Sequence, residues 1–567
     1  MSDEQLANRL ALVCALVIIA EYAALMLAGF VWDDFALVLC NAQTGSLAHI
    51  PKFFTMDLWM SIGPEPVSSG YYRPLMLAGL AVDRALWGFS AAGHHMHSVA
   101  WHVAASLALY ALLRRLTPPI PAALGMAFFA LHPMQSESVA WITARNDPMV
   151  AAFTFAALAA LLPERPTGRS LVGGAFFAAC ALFSKESGVI VGPLLLMLDL
   201  ARYRRPVGWP RYAALGGALA LWWALREAAG LDPVSSPQRQ QIEFLLQHAV
   251  SVAALYMGRI TLPLTPTVGY SLDYLDQLPL HLWLGALLTG VAAVLALLRG
   301  RGLALAGLGF AALALAPALA AIAVRGQLGE RYLYLPMGGV ALALASAWPA
   351  SRRAAAPFGV ISLVFVLIVH ERLPEWKDEI TLWRAAVREV PSAYTWASLG
   401  HVLNADTTAK TDRSGCAPGT FKAPDELAQR DRTEAVLLFQ RALREGNPPY
   451  RDVCWQVVGV SRKIRSKELI REGIALTESA HCPITREIAS ARTLGLIELG
   501  DWERVRVELA RYANREEWAN ERWILLAQAA LAQHDGDLAT YERLRDAGPF
   551  SPGELDQGLS ALLQPLN

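Results

Sequence analysis

"ALVCALVIIAEYAALMLAGFVWDDF", residues 11–35, decides how the rest of the chain is read. From Ala11 to Phe30 it carries a single charge, Glu21, and it then ends on two adjacent carboxylates, Asp33 and Asp34. An apolar run of about twenty residues is the length that crosses a bilayer hydrocarbon core as a helix. The stretch therefore reads as a span at about residues 9–30, halted where the carboxylates meet water. Asp3, Glu4 and Arg9 precede it in place of a basic cluster, and it is too long for a cleaved leader, so it is expected to stay as an uncleaved first span.

The same pattern recurs. With 54% hydrophobic and 17% charged residues over 567 positions, the chain has the composition of a polytopic membrane protein. Further spans are expected at about 94–115, 120–134, 148–162, 169–184, 187–202, 211–229, 280–298, 303–324, 331–349 and 355–371, roughly eleven crossings in all. Arg114-Arg115, "PERPTGR", "RYRRPVGWPR", "RGRG" and "SRR" then share one side, which the positive-inside rule makes cytoplasmic. Apolar segments at about 74–91 and 248–264 would break that sorting if they crossed, so they are expected to lie along the outer surface. An odd number of crossings puts the N-terminus inside and the C-terminal part outside. The net charge of zero argues against a nucleic-acid binder, which needs a basic face.

Beyond residue 372 the chain turns charged and holds no further span. "WASLGHVL" (Trp396, Leu399, Gly400) fits the first helix of a tetratricopeptide repeat, and "AVLLFQRAL" (Ala435, Phe439, Ala442) its second, with "NPP" closing it. An insertion at about 404–428 separates them, and later pairs such as "ARTLGLIELGDWERVRVELARYA" repeat at a period of about thirty residues. The expected organisation is all-α: a membrane-embedded domain, 1–372, followed by an extracytoplasmic tetratricopeptide-repeat solenoid, 373–567. Cys416, Cys454 and Cys482 fall in the tail, where a disulfide between two of them and buried free thiols are both open.

The chemistry-bearing clusters fall on the external side. They are Asp33-Asp34, "YYRP" (Tyr71, Tyr72, Arg73), "GHHMHSVAWH" (His94, His95, His97, His102), "LHPMQSESVAWITARND" (His132, Glu137, Arg145, Asn146, Asp147), "FSKESG" (Lys185, Glu186) and "GQLGERYLYLP" (Glu330, Arg331, Tyr332, Tyr334). Ionisable groups at membrane depth cost on the order of a few kcal/mol each, so they line a cavity or pair with one another. One external cavity holding cations and carboxylates accounts for all of them. The plainer alternatives are a polar helix stop for the two aspartates, interhelical hydrogen bonds for the histidines, and an ion-paired hairpin at Lys185-Glu186.

These motifs, in this order and followed by repeats, resemble the transmembrane and tetratricopeptide-repeat O-mannosyltransferases and their bacterial relatives, of the C-type glycosyltransferase superfamily. The resemblance implies transfer of a sugar, mannose among the candidates, from an undecaprenyl- or dolichyl-phosphate donor to a hydroxyl of a protein or glycan acceptor on the extracytoplasmic face. It implies that one of Asp33 and Asp34 is the general base, with Asp34 preferred. The other would orient it or hold a divalent cation, Mg or Mn. Arg145, Lys185 and Arg331 are the expected phosphate ligands, with Arg73 and Tyr332 in reserve. His95, His132, Glu137, Asp147, Glu186 and Glu330 are further cavity candidates. The Ala-, Leu- and Arg-rich composition points to a bacterial inner membrane with the repeats periplasmic. The rival readings are a non-catalytic repeat scaffold and an oligosaccharide ligase or polymerase.

Overall fold

A computed structural model of the chain describes residues 1–61, 69–231, 239–325, 327–404, 425–445, 451–479, 482–512, 515, 518, 521–551 and 553–566. Most of the expected insertion and the "NPP" turn lie outside the described residues. Helix dominates: the strand pairing among the described residues is a two-residue antiparallel bridge, Tyr270–Ser271 against Gln327–Leu328. Among the described residues the chain divides into two compact units, one up to Val390 and one from Pro391.

In the first unit, Ser2 caps the opening helix Asp3–Glu21 by accepting the Gln5 N–H while the Gln5 side chain accepts the Ser2 N–H. Four helical stretches among the described residues are long and apolar enough to cross a membrane: Asp3–Leu27, Ala91–Leu113, Leu280–Ala323 and Ala355–Lys377. That is fewer than the eleven crossings read from the sequence. Four other apolar helices, Pro119–Leu131, Gly168–Ser184, Ala249–Thr261 and Pro336–Ala347, are 12 to 17 residues long. At 1.5 Å per residue they reach about 18–26 Å, short of a core about 30 Å thick. Local chemistry sets such ends. The segment expected to run to residue 134 stops at Leu131 because His132, the residue before Pro133, takes extended backbone (φ −69°, ψ 131°). The two spans expected at about 280–298 and 303–324 fall within Leu280–Arg325, where non-helical backbone at Arg301 (φ 40°, ψ −113°) separates two helices.

Small residues allow backbones to touch where the site is built. A Cβ on Gly339 would lie 2.5 Å from the Ala311 nitrogen, and one on Gly307 would lie 2.5 Å from the Ala343 nitrogen. The Leu280–Arg325 and Pro336–Ala347 helices therefore cross in close contact, which holds the stretch around Ala314 to Ala321 against the segment leading into Pro336.

The second unit, among its described residues, consists of helices from Ala393–Asn404 to Glu554–Leu562, packed on their neighbours in chain order up to Leu538–Ala547, with Glu554–Leu562 packed on Arg522–Asp535 and Arg486–Leu499. Trp396, Leu399, Ala435, Phe439 and Ala442 are all buried, and a Cβ on Gly400 would lie 2.5 Å from the Phe439 ring. The W-x-x-L-G spacing is thus a packing requirement. Cys454 and Cys482 form a disulfide, with Cα atoms 6.0 Å apart, across 28 residues of chain.

Gly339→Val should drive a side chain into the Ala311 backbone and destabilise the first unit by about 1–3 kcal/mol. The drop is read as a lowered unfolding temperature of the full-length protein in detergent.

Candidate active site

The site begins at the corner where the first apolar run ends. Trp32 takes a left-handed backbone, φ 53°, just before two carboxylates that have different surroundings. Asp34 is fully buried: one oxygen accepts the Val31 N–H at 3.1 Å and the other accepts the Thr143 N–H at 2.9 Å. Burial pushes its carboxyl up to about 7, against the pull of those N–H donors, and the neighbouring Asp33 charge adds to the rise. Asp33 instead lines a cavity of about 650 Å³.

Three cations share that wall with Asp33: Arg73, Lys185 and Arg331. Each is held by a carboxylate from another segment. Arg73 donates to both Glu186 oxygens, from Nη2 at 2.9 Å and from Nε at 3.0 and 3.3 Å. Lys185 pairs closely with Asp147, and Arg331 with Glu137 at 2.5 Å. The "SKESG" turn presents Lys185 and Glu186 because Gly188 lies against the preceding helix, where a Cβ would sit 2.6 Å from the Ala181 carbonyl carbon. Burial works against ionisation of Glu186, but the Arg73 charge and its hydrogen bonds hold the carboxyl below the ordinary range.

Aromatic residues and a helix face complete the cavity. Trp32 stacks on Trp141 with ring centroids 4.5 Å apart and planes 7° from parallel. The Arg331 guanidinium lies 5.7, 5.3 and 4.9 Å from the rings of Trp32, Trp141 and Tyr332. Trp59, Tyr71, Thr143, Asn146 and Gln327 also line it, and Ala314, Pro317, Ala318 and Ala321 of the Leu280–Arg325 stretch form an apolar side. Tyr71, Asn146 and Tyr332 stand in the expected clusters, whereas Trp32, Trp59, Trp141, Thr143, Gln327 and the alanine face were not among the candidates. Trp32 and Trp141 stand inside the quoted motifs, "VWDD" and "VAWITARND", and were legible there, whereas nothing in "ALAPALAA" marks it as a cavity wall.

Of the expected site residues, Asp33, Arg73, Asp147, Lys185, Glu186, Arg331 and Tyr332 meet at the cavity, with Glu137 directly behind Arg331. Arg145 does not join them. It is fully buried, pairs with Asp83, and donates to the carbonyls of His94 at 3.0 Å and Ile142 at 3.1 Å. Asp83 also meets His97 at 2.5 Å and His94 at 3.4 Å; burial alone would raise its carboxyl, but the histidine hydrogen bonds and the Arg145 charge hold it well below the usual range. His95 reaches the Gly29 carbonyl at 3.2 Å and His132 the Ile260 carbonyl at 3.0 Å. Glu330 is buried between the Thr267 N–H, the Tyr270 hydroxyl and two arginines, Arg259 and Arg372. These groups cross-link the scaffold around the cavity.

The donor set does not fit a divalent cation at the two aspartates. Both Asp34 oxygens are engaged by backbone N–H groups, and among the described residues no group of three or more His, Cys, Asp or Glu side chains is arranged to hold a metal.

Comparison with known proteins bears out the family resemblance. The chain is 28% identical over 201 residues to Protein O-mannosyl-transferase Tmtc1 of Drosophila melanogaster, covering 34% of this chain and 23% of that protein. It is 26% identical over 191 residues to Protein O-mannosyl-transferase F38B6.6 of Caenorhabditis elegans, covering 33% and 27%. It is 24% identical over 180 residues to Protein O-mannosyl-transferase TMTC3 of Mus musculus, covering 31% and 20%. The chain thus matches roughly a quarter or less of the length of these relatives. No family model and no solved structure matches it.

Arg145→Met should leave Asp83 buried without its cation and lower stability by about 3–5 kcal/mol. Thermal unfolding of the full-length protein measures this; an unchanged midpoint would contradict a scaffold role.

Proposed function

We propose that the protein is a membrane glycosyltransferase that moves a hexose, mannose by the names of its relatives, from a polyprenyl-phosphate donor to a hydroxyl of a protein or glycan acceptor. The observation that carries this reading is the make-up of one cavity: a carboxylate, three paired cations, stacked aromatics and an apolar helix face. A lipid-linked sugar phosphate has the complementary parts, with a prenyl chain for the apolar face, an anionic phosphate for the cations and a sugar ring for the aromatics. A volume of about 650 Å³ lies within the usual range for a small-molecule site.

In this mechanism Asp33 takes the acceptor hydroxyl proton as the oxygen forms its bond to the anomeric carbon. The bond from that carbon to the phosphate oxygen breaks, and the polyprenyl phosphate leaves with one more negative charge. Arg73, Lys185 and Arg331 stabilise that charge, Tyr332 adds a hydroxyl donor, and Asp147, Glu186 and Glu137 keep the cations aimed before the donor arrives. The sequence-based preference for Asp34 gives way to Asp33. Asp34 has both oxygens committed to backbone amides, so it serves as the residue that holds the corner.

The proposed setting is a bacterial inner membrane, with the shorter apolar helices completing the crossings and the repeats periplasmic. The Cys454–Cys482 disulfide supports an oxidising compartment for the second unit. There the repeats bind the acceptor, as helical solenoids commonly bind peptides on an extended face.

Asp33→Asn should lower turnover by about 10²–10⁴-fold with little change in donor KM, measured with a polyprenyl-phosphate mannose and a hydroxyl acceptor. Full activity in that variant would remove Asp33 from the chemistry. Because Asp34 is raised to about 7, its ionised form, the better acceptor for the two amides, gains population as pH rises through neutrality. Turnover should therefore climb between about pH 6 and about pH 8, and Asp34→Asn, which cannot ionise, should flatten that climb. A variant profile of unchanged slope would separate Asp34 from the pH dependence.

A further inference from the structure

Asp33 is carried by a backbone that its local sequence does not favour. A left-handed conformation at a bulky residue such as Trp32 is strained, and it persists where surrounding contacts over-determine it. Some of those contacts are near the cavity: Asp34 ties Val31 to Thr143, and Trp141 stacks on the Trp32 ring. The others come from one distant stretch. The Gly29 N–H donates to the Lys377 carbonyl at 2.9 Å, so close that a Cβ on Gly29 would lie 3.0 Å from that oxygen. The Trp32 N–H donates to Glu379 Oε1 at 3.0 Å, across 347 residues. The Trp32 ring then meets the buried Trp383 edge-on, with centroids 5.1 Å apart at 66°.

Glu379 and Trp383 sit on a well-defined helix, Glu379–Glu389. Asp378 caps it by accepting the Thr381 N–H at 2.8 Å, and the carboxylate of Glu379 stands in its first turn, where the helix end favours negative charge. Neither residue lines the cavity. Their grip falls on the one residue whose φ aims Asp33. In the chain this helix joins the last long apolar helix, Ala355–Arg372, to the repeats.

We propose that Glu379 and Trp383 are positioning residues that hold Trp32 in its left-handed turn and thereby aim Asp33 into the cavity, so the segment joining the membrane helices to the repeats sets the competence of the site. This rests on Asp33 being the base of the transfer reaction.

The test uses the full-length protein in detergent, comparing wild type with Glu379→Ala, Glu379→Gln and Trp383→Ala, with Trp383→Phe as the milder ring change. Arg388→Ala, on an exposed residue of the same helix, is the control. Hydrogen exchange reads the amides of residues 31–35, and transfer from polyprenyl-phosphate mannose is assayed in parallel. Glu379→Ala and Trp383→Ala should speed exchange of the Trp32 amide by about tenfold or more at an unfolding temperature close to wild type. Their kcat should fall about tenfold or more with donor KM nearly constant. Glu379→Gln, which keeps an acceptor oxygen, should recover most of both, and Trp383→Phe should fall between. Unchanged exchange in the variants would overturn the proposal, and so would faster exchange with wild-type kcat. Should wild type transfer nothing, the glycosyltransferase reading fails instead, and the exchange data alone decide whether Glu379 and Trp383 hold Trp32.

Discussion

A single buried carboxylate organises the site. Asp34 binds the Val31 N–H three residues before it and the Thr143 N–H 109 residues after it, so one side chain fixes the corner after the first helix and joins it to the segment that carries Trp141 and Asp147. Burying a carboxylate is expensive unless donors surround it, and hydrogen bonds to a charged group contribute about 1.5–3 kcal/mol each. The two adjacent aspartates therefore stand in different surroundings. One is turned inward to hold the fold, and its neighbour, past the left-handed Trp32, is left facing the cavity.

The remaining charges follow the same economy of pairing. At the cavity, Arg73, Lys185 and Arg331 each meet a carboxylate from another segment, which keeps the cations ordered in a chain with little water to solvate them. Behind the cavity, Arg145 with Asp83 and its histidines, and Glu330 with Arg259 and Arg372, form a second set that is almost wholly buried. The two sets use the same residue types. They differ in whether the pair has a face left over for a ligand, and that depends on neighbours far away in the chain.

This explains how much of the site could be read beforehand. Arg73, Asp147, Lys185, Glu186 and Arg331 were expected together as loop residues on one side of a membrane, and all five line one cavity. Arg145, expected with them, lies instead in the buried scaffold, since a loop position alone does not say which way a side chain points. Arg145 turned inward because Asp83, on a helix that drew no attention as a charge-bearing element, offered it a buried partner. The apolar cavity wall was illegible for a different reason: alanines at a helix crossing look alike whether they face lipid, a neighbouring helix or a cavity.

Hydropathy and repeat spacing were enough to establish an all-α chain with apolar helices first and packed helical pairs after, because burial of apolar faces depends on local periodicity. They left the number of crossings open: four helical stretches among the described residues are long and apolar enough to cross, and an apolar run does not reveal where a His-Pro step ends a helix. The choice between Asp33 and Asp34, and the reach of Glu379 and Trp383 to Trp32, belong to tertiary structure alone. Adjacent carboxylates are chemically equivalent in a sequence, and only groups brought to this corner from more than a hundred residues away give the two different surroundings, Asp34 on the Thr143 amide and Asp33 at the cavity wall.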